Sequence, residues 1–136
     1  MKAALVYTST TPELIELVER EVRKNIGEEA ELLSLQNPEI LAMVRDAGYV
    51  TPRAAAELIS MYMDAVKQGA DVILNICSSV GEVADSMQAA AAYLGVPVVR
   101  IDEEMCREAV RRGNRIAVLA TLPTTLEPTK NTVLRV

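Results

Sequence analysis

The chain contains 136 residues, 50% of them hydrophobic but only 3% aromatic, so its length and composition suit one domain with an aliphatic core. Its 14 Lys and Arg against 19 Asp and Glu leave a net charge of -5, and without a basic run or an aromatic platform no nucleic-acid partner is expected. The absence of histidine excludes Ser-His-Asp triads, Cys-His pairs and histidine metal sites, and no glycine-rich phosphate-binding motif occurs, so ATP hydrolysis and Rossmann-type dinucleotide binding are not expected.

The first elements are marked by apolar runs and by threonine-proline pairs. Lys2 to Thr8 is an unbroken apolar run, which predicts a strand covered on both faces, and a hydroxyl-rich loop follows it. Thr11 with Pro12 has the residue types of a helix start, and Gly27 predicts the end of that helix. Similar signals predict a second strand, an irregular or helical segment and a long helix at Ala30–Leu35, Asn37–Gly48 and Thr51–Gln68.

The centre of the chain combines a buried strand with a cysteine and a helix start. Val72 to Ile76 predicts the third strand, and Cys77 follows it at the end where ligands bind in open α/β sheets. Ser79 and Glu82 have the spacing of a capping box, in which each side chain accepts an amide hydrogen bond. A helix start favours a thiolate and a bound carboxylate, so Cys77 is the candidate reactive group, with a buried structural cysteine as the alternative.

The rest of the chain continues the alternation of helices and strands. Its predicted elements are helix Glu82–Leu94, strand Gly95–Arg100, a helix capped by Asp102 and ending at Arg112, strand Arg115–Ala120 and a final helix Leu126–Val136. This order predicts an α/β fold, a doubly wound three-layer sandwich with a mainly parallel sheet. Cys106 falls inside a predicted helix, so we interpret it as a buried structural residue.

Two stretches of the chain share one pattern. Lys2–Thr8 and Arg115–Thr121 each have a basic residue, an apolar strand and a threonine that opens a hydroxyl-rich loop containing proline. Chance is the alternative, because such loops are common, but the match indicates the start of a second copy of the first lobe. We therefore expect residues 1–113 to form a first lobe and residues 114–136 to open a second, incomplete one.

Targeting and membrane signals are not found in the sequence. The apolar run at its start is too short for a signal peptide, and no apolar stretch is long enough to span a membrane. Free thiols are favoured over a disulfide for the two cysteines. We expect a cytoplasmic protein with no membrane partner.

Four segments together resemble one protein family. They are Gly48–Pro52, Gly69–Glu82, Val98–Asp102 and Arg115–Thr125, and they occur in the family's order. On these segments the chain resembles the first half of the aspartate/glutamate/hydantoin racemase superfamily. The resemblance implies two similar α/β lobes with the active site between them, no cofactor and no metal, and one thiol from each lobe beside the substrate Cα.

The resemblance also implies roles for particular residues. Cys77 would be the first-lobe thiol, which transfers a proton at Cα of a small carboxylate-bearing substrate. The substrate carboxylate would be bound by the hydroxyls of Thr8, Ser9, Thr10, Ser78 and Ser79, and the second-lobe counterparts would be Thr121, Thr124 and Thr125. Hydroxyls suit this task because they donate hydrogen bonds without adding a competing charge.

Two departures from the family pattern leave other functions open. Many members have Asn-Thr directly after the first cysteine, where this chain has Ser78-Ser79, so the substrate class is open. The second-lobe thiol lies beyond the matched region, so we expect an incomplete racemase, either a truncated product or a short protein that a partner chain, as in a homodimer, would complete. The alternatives are a non-catalytic domain that binds a small anion, and a lyase or decarboxylase that needs one thiol.

Overall fold

Four parallel strands form the centre of the structure, a computed structural model that describes residues 1–136. The strands are β1 (Lys2–Tyr7), β2 (Glu31–Gln36), β3 (Val72–Ile76) and β4 (Val98–Arg100), and their order in the sheet is β2-β1-β3-β4. β1 pairs with both β2 and β3 along most of its length, whereas β4 pairs with β3 through three residues. The carboxyl ends of β1 and β3 therefore lie side by side at one end of the sheet.

Seven α-helices and one short 3₁₀ helix connect the strands. They are α1 (Pro12–Ile26), α2 (Pro38–Ala47), α3 (Pro52–Lys67), the 3₁₀ helix (Ser78–Val80), α4 (Gly81–Ser86), α5 (Gln88–Leu94), α6 (Glu103–Arg112) and α7 (Pro123–Arg135). The predicted starts of the first three helices are confirmed, because Thr11, Asn37 and Thr51 each accept an amide hydrogen bond from the first turn. None of the helices combines the length and apolarity that crossing a membrane requires.

Helices cover both faces of the sheet, which confirms the predicted α/β three-layer sandwich. On one face Ala4 and Val6 of β1 pack in the larger core with buried side chains of α2, α3 and α4. On the other face Leu5 and Tyr7 pack against Val18 of α1. Alternate residues of β1 thus face opposite layers, as the two-residue period of a strand requires.

The segment after β3 differs from the predicted single helix Glu82–Leu94. It is divided at Met87 into α4 and α5, because the amide of Met87 bonds three residues back, as in a 3₁₀ turn. The following strand is also shorter than predicted and begins at Val98. Gly95 takes the left-handed conformation that ends α5 (φ 69°), and Pro97 has no amide hydrogen to donate to a ladder.

The prediction of a fifth strand at Arg115–Ala120 is wrong. Residues 114–121 make no backbone hydrogen bond, and Leu119 is 92% exposed. An apolar run becomes a strand only beside a neighbour that shares its backbone hydrogen bonds, and this segment leads instead to α7, which packs against α6 and the 3₁₀ helix. The final helix is confirmed, although it begins at Pro123 instead of Leu126.

Candidate active site

Thr8 and Cys77 begin two neighbouring loops at the same end of the sheet. Tyr7 of β1 pairs with Ile76 of β3, and each is followed directly by one of these two residues. The Cys77 thiol is free and half-buried against the larger core, at the strand end where the sequence predicts the reactive group. We name residues Cys77 to Gly81 the Cys77 turn; it contains the 3₁₀ helix and leads into α4.

The predicted capping box of Ser79 and Glu82 is wrong, because both side chains contact α7 instead. The Ser79 hydroxyl oxygen lies 3.1 and 2.8 Å from the hydroxyl oxygens of Thr124 and Thr125. The Glu82 carboxylate accepts a hydrogen bond of 2.8 Å from the side-chain amide of Asn131. The helix α4 accordingly starts without a side-chain cap, and a helix distant in sequence holds the Cys77 turn.

A buried asparagine holds the carbonyl group of Cys77. The Asn75 side chain is completely buried and donates a hydrogen bond of 3.0 Å to the Cys77 carbonyl oxygen. Its amide oxygen accepts a hydrogen bond of 2.9 Å from the Tyr62 hydroxyl on α3. Burial raises the pKa of Tyr62, and Cys77 adds to the effect, so this hydroxyl keeps its proton. Neither residue was among the predicted site residues, although a lone amide in an apolar strand signals a buried polar contact.

An ion cluster lies beside the Cys77 turn at the carboxyl end of β4. The buried guanidinium of Arg100 donates to both carboxylate oxygens of Asp102 at 2.9 Å and to Asp85 of α4 at 2.7 Å. Asp102 makes no cap bond to α6, so its predicted capping role is wrong. Burial acts to raise the pKa of Asp102, but the hydrogen bonds and charge of Arg100, with help from the Ser78 hydroxyl, lower it below its usual value.

The first hydroxyl-rich loop contains one buried group without a partner. Thr8 is completely buried, and its hydroxyl makes no hydrogen bond. Ser9 is exposed, and Thr10 donates a hydrogen bond of 3.2 Å to the carbonyl of Thr11. Thr121, in the second such loop, is also exposed. Ser9, Thr10 and Thr121 are predicted to bind the substrate, but none of their hydroxyls forms a hydrogen bond to the Cys77 turn.

A cavity of about 380 Å³ lies against the α7 side of the Cys77 turn. Ser79 and Thr124 line it together with Glu82, Glu127 and residues of the loop that follows α2. A larger cavity, of about 530 Å³, is an apolar groove beside α1 and contains none of the predicted site residues. We place the candidate site at the Cys77 turn, because a binding site needs converging polar groups as well as volume.

Other groups suited to thiol or metal chemistry are few. Cys106 is almost completely buried in α6, as its predicted structural role requires. Burial raises the pKa of the Cys106 thiol, and the charge of Asp102 adds to the effect. No group of three or more His, Cys, Asp or Glu side chains is arranged to hold a metal ion.

The comparison with protein families identifies the family of the chain. A family model described as Asp/Glu/Hydantoin racemase matches residues 4–135, which include the Cys77 turn and all of α7. The chain belongs to the Asp/Glu/hydantoin racemase family. No curated protein and no solved structure matches it. Membership in the racemase family confirms the resemblance seen in the sequence and supports a racemase-like isomerase.

In this racemase-family chain, removal of the unpaired Thr8 hydroxyl is expected to change the stability of the fold. Thr8→Val is expected to raise the free energy of unfolding by about 1 kcal/mol, since it removes a buried polar group that has no partner. Thr132→Val is the matched control, because the equally buried Thr132 hydroxyl donates to the Pro128 carbonyl at 2.9 Å. The control should lose stability in urea unfolding; equal losses in both variants would contradict an unpaired Thr8.

Proposed function

We propose that this protein transfers a proton at Cα of a small carboxylate-bearing substrate, with the Cys77 thiol as the acid–base group. The observation that carries the proposal is the position of Cys77. It is a half-buried free thiol at the carboxyl end of β3, next to the loop that begins with the unpaired hydroxyl of Thr8. Membership in a racemase family supports an isomerase of this general type.

The chemistry requires a base held in contact with a very weak carbon acid. The thiolate of Cys77 takes the Cα proton, and the electron pair of the broken C–H bond moves into the carboxylate, which becomes an enediolate. The thiol then returns a proton to Cα, and the carboxylate is restored. Hydrogen-bond donors that are already in place around the carboxylate stabilise the enediolate, because they need no reorganisation during the reaction.

We propose that hydroxyl groups bind the substrate carboxylate. The residues are those implied by the family resemblance: Thr8, Ser9, Thr10, Ser78 and Ser79, with Thr121, Thr124 and Thr125 as the second-lobe counterparts. The position of Thr8 supports this role, since it directly follows β1 beside Cys77 at the carboxyl end of the sheet. The contact of Ser79 with Thr124 and Thr125 supports a shared hydroxyl cluster between the two parts of the chain.

We also propose that the protein has two lobes and forms a homodimer in the cytoplasm. Residues 1–113 would form the first lobe, and residues 114–136 would open the second, which a second copy of the chain would complete. The segment 114–121 supports this part of the proposal, because all its backbone groups are free to pair with strands of another chain. Sedimentation velocity should show a dimer; a monomer at every concentration would contradict this part.

The expected reaction of the isolated 136-residue monomer is one-sided exchange. In D₂O, deuterium should enter Cα of one enantiomer of a substrate amino acid with retention of configuration, because Cys106 is too buried to serve as a second base. Mass spectrometry measures the exchange, and chiral chromatography measures racemisation. Rapid racemisation by the monomer would contradict the single-base mechanism, and no exchange across a panel of amino acids would contradict the proposed function.

A lyase or decarboxylase that uses one thiol is the second candidate. The observation that favours it is that Cys77 is the one cysteine with an accessible thiol, and decarboxylation needs a single proton donor. In that reaction CO₂ leaves Cα and the thiol protonates the resulting enediolate. Release of CO₂ from a substituted malonate, without Cα exchange in monocarboxylates, would favour this candidate over the isomerase.

A further inference from the structure

We propose that Arg100 is a positioning residue for Cys77: its guanidinium, held by two carboxylates, sets the path of the Cys77 turn. The inference rests on the proposed function, in which Cys77 is the reacting thiol. Arg100 is the last residue of β4 and pairs with Asn75 of β3, which lies two residues before Cys77. It acts on the thiol through the turn and does not itself contact the substrate.

The guanidinium is fixed in one orientation. Its side chain is 1% exposed, and Asp102 binds two of its nitrogens while Asp85 binds a third. A planar fork bound at three nitrogens has little freedom to rotate or shift. Arg135 of α7 contacts the same Asp85 at 3.2 Å, so the cluster also joins α7 to the turn.

Gly81 shows that the turn is built around this guanidinium. Its φ of −60° and ψ of −30° are ordinary right-handed helical values, which any residue adopts, so backbone conformation does not require glycine here. A Cβ atom on Gly81 would instead overlap the guanidinium of Arg100. The last residue of the Cys77 turn is therefore a glycine because the guanidinium lies directly against its backbone.

The cluster also reaches the beginning of the turn. The Ser78 hydroxyl helps to lower the pKa of the Asp102 carboxylate that holds Arg100. The amide of Ile101 donates a hydrogen bond of 3.1 Å to the carbonyl of Asn75, the residue whose side chain binds the Cys77 carbonyl. The end of β4 thus holds both the entry and the exit of the turn, and the direction of the thiol follows from both.

A double-substitution experiment tests the inference. The variants are Gly81→Ala, Arg100→Lys and the two combined, because lysine keeps the charge but lacks the planar group that the new Cβ would meet. Arg112→Lys is the control, since Arg112 is exposed and bonds only to Glu108 on its own helix. Two quantities are measured: the rate of Cys77 alkylation by iodoacetamide, and kcat and KM of Cα deuterium exchange.

Gly81→Ala should displace the turn, so the alkylation rate of Cys77 should rise while kcat of Cα exchange should fall. Alkylation of Cys77 should rise about tenfold as the half-buried thiol is uncovered, and kcat of exchange should fall about tenfold or more with little change in KM, since misplacement of a catalytic group is costly. Arg100→Lys should have similar effects, and Gly81→Ala should add little to it in the combined variant. Alkylation of the buried Cys106 should stay slow, which shows that the fold is intact.

The outcomes separate this inference from the proposed function. If Gly81→Ala has the same effect with and without Arg100→Lys, the guanidinium does not set the turn and the inference is wrong. If Cys77→Ala stops exchange while Gly81→Ala changes neither quantity, the proposed function stands and the inference fails. If the unsubstituted chain shows no exchange, the proposed function fails, and the alkylation rates alone decide whether Arg100 positions Cys77.

Discussion

Cys77→Ala is expected to reduce exchange of the substrate Cα proton by about 10²–10⁴-fold, the usual contribution of a positioned acid–base group. The thiol lies at the carboxyl end of β3, and no other cysteine in the chain is accessible. Removing it leaves the hydroxyl cluster around Ser79 intact, so substrate binding should change little. Mass spectrometry of deuterium incorporation measures the rate, and calorimetry measures substrate binding.

Cys106→Ala is the matched control for this prediction. It replaces the other cysteine, which is buried in α6, and the exchange rate should remain that of the unsubstituted chain. An unchanged rate in Cys77→Ala would overturn the thiol mechanism. Unchanged ligand affinity in that variant, together with a Cys77 thiol inert to iodoacetamide and no exchange in any chain, would favour the non-catalytic anion-binding domain.

Asp102→Ala is expected to lower the free energy of unfolding by about 3–5 kcal/mol, because it leaves the buried Arg100 with one carboxylate partner in place of two. Asp102 is 5% exposed and binds the guanidinium with both oxygens, so water cannot replace it easily. Urea unfolding followed by circular dichroism measures the loss. If Asp102→Ala were as stable as the unsubstituted chain, the ion cluster around Arg100 would not stabilise the fold.

The contribution of the Asp102 carboxylate to stability should depend on pH. The pKa of Asp102 is lowered in the folded state, so its stabilisation is present above the unfolded pKa of about 3.9 and is lost as the pH falls through the lower folded value. The stability difference between the chain and Asp102→Asn should therefore shrink below about pH 4. Glu104→Ala is the control, because Glu104 is exposed and its ion pair with Arg111 contributes little.

Local signals predicted most helices and strands because the interactions behind them act within one turn. Thr11 and Thr51 each bond to an amide three residues on, and proline at the next position fits a first helical turn wherever it occurs. The strand Val72–Ile76 was predicted with the bounds that the structure has. Its five residues are apolar apart from Asn75, and that exception is the residue that holds Cys77.

The same kind of signal failed where a distant partner competed. Ser79 and Glu82 have capping-box spacing, but the hydroxyls of Thr124 and Thr125 and the amide of Asn131 take both side chains. Asp102 has the residue type of an N-cap, but Arg100 takes its carboxylate. The charged Arg100 binds both oxygens of Asp102, which a lone backbone amide cannot do. Spacing along the chain contains no information about any of these distant partners.

The sequence by itself determined the α/β class, the family and the position of the candidate thiol, because these depend on local periodicity, caps and the order of motifs. Only the tertiary structure decided which side chains surround that thiol. Asn75 holds the Cys77 carbonyl, Arg100 of the neighbouring strand lies against Gly81, and α7 reaches the turn from a distant part of the chain. The apolar run Arg115–Ala120 likewise formed no strand, because pairing depends on a neighbour in space and not on composition.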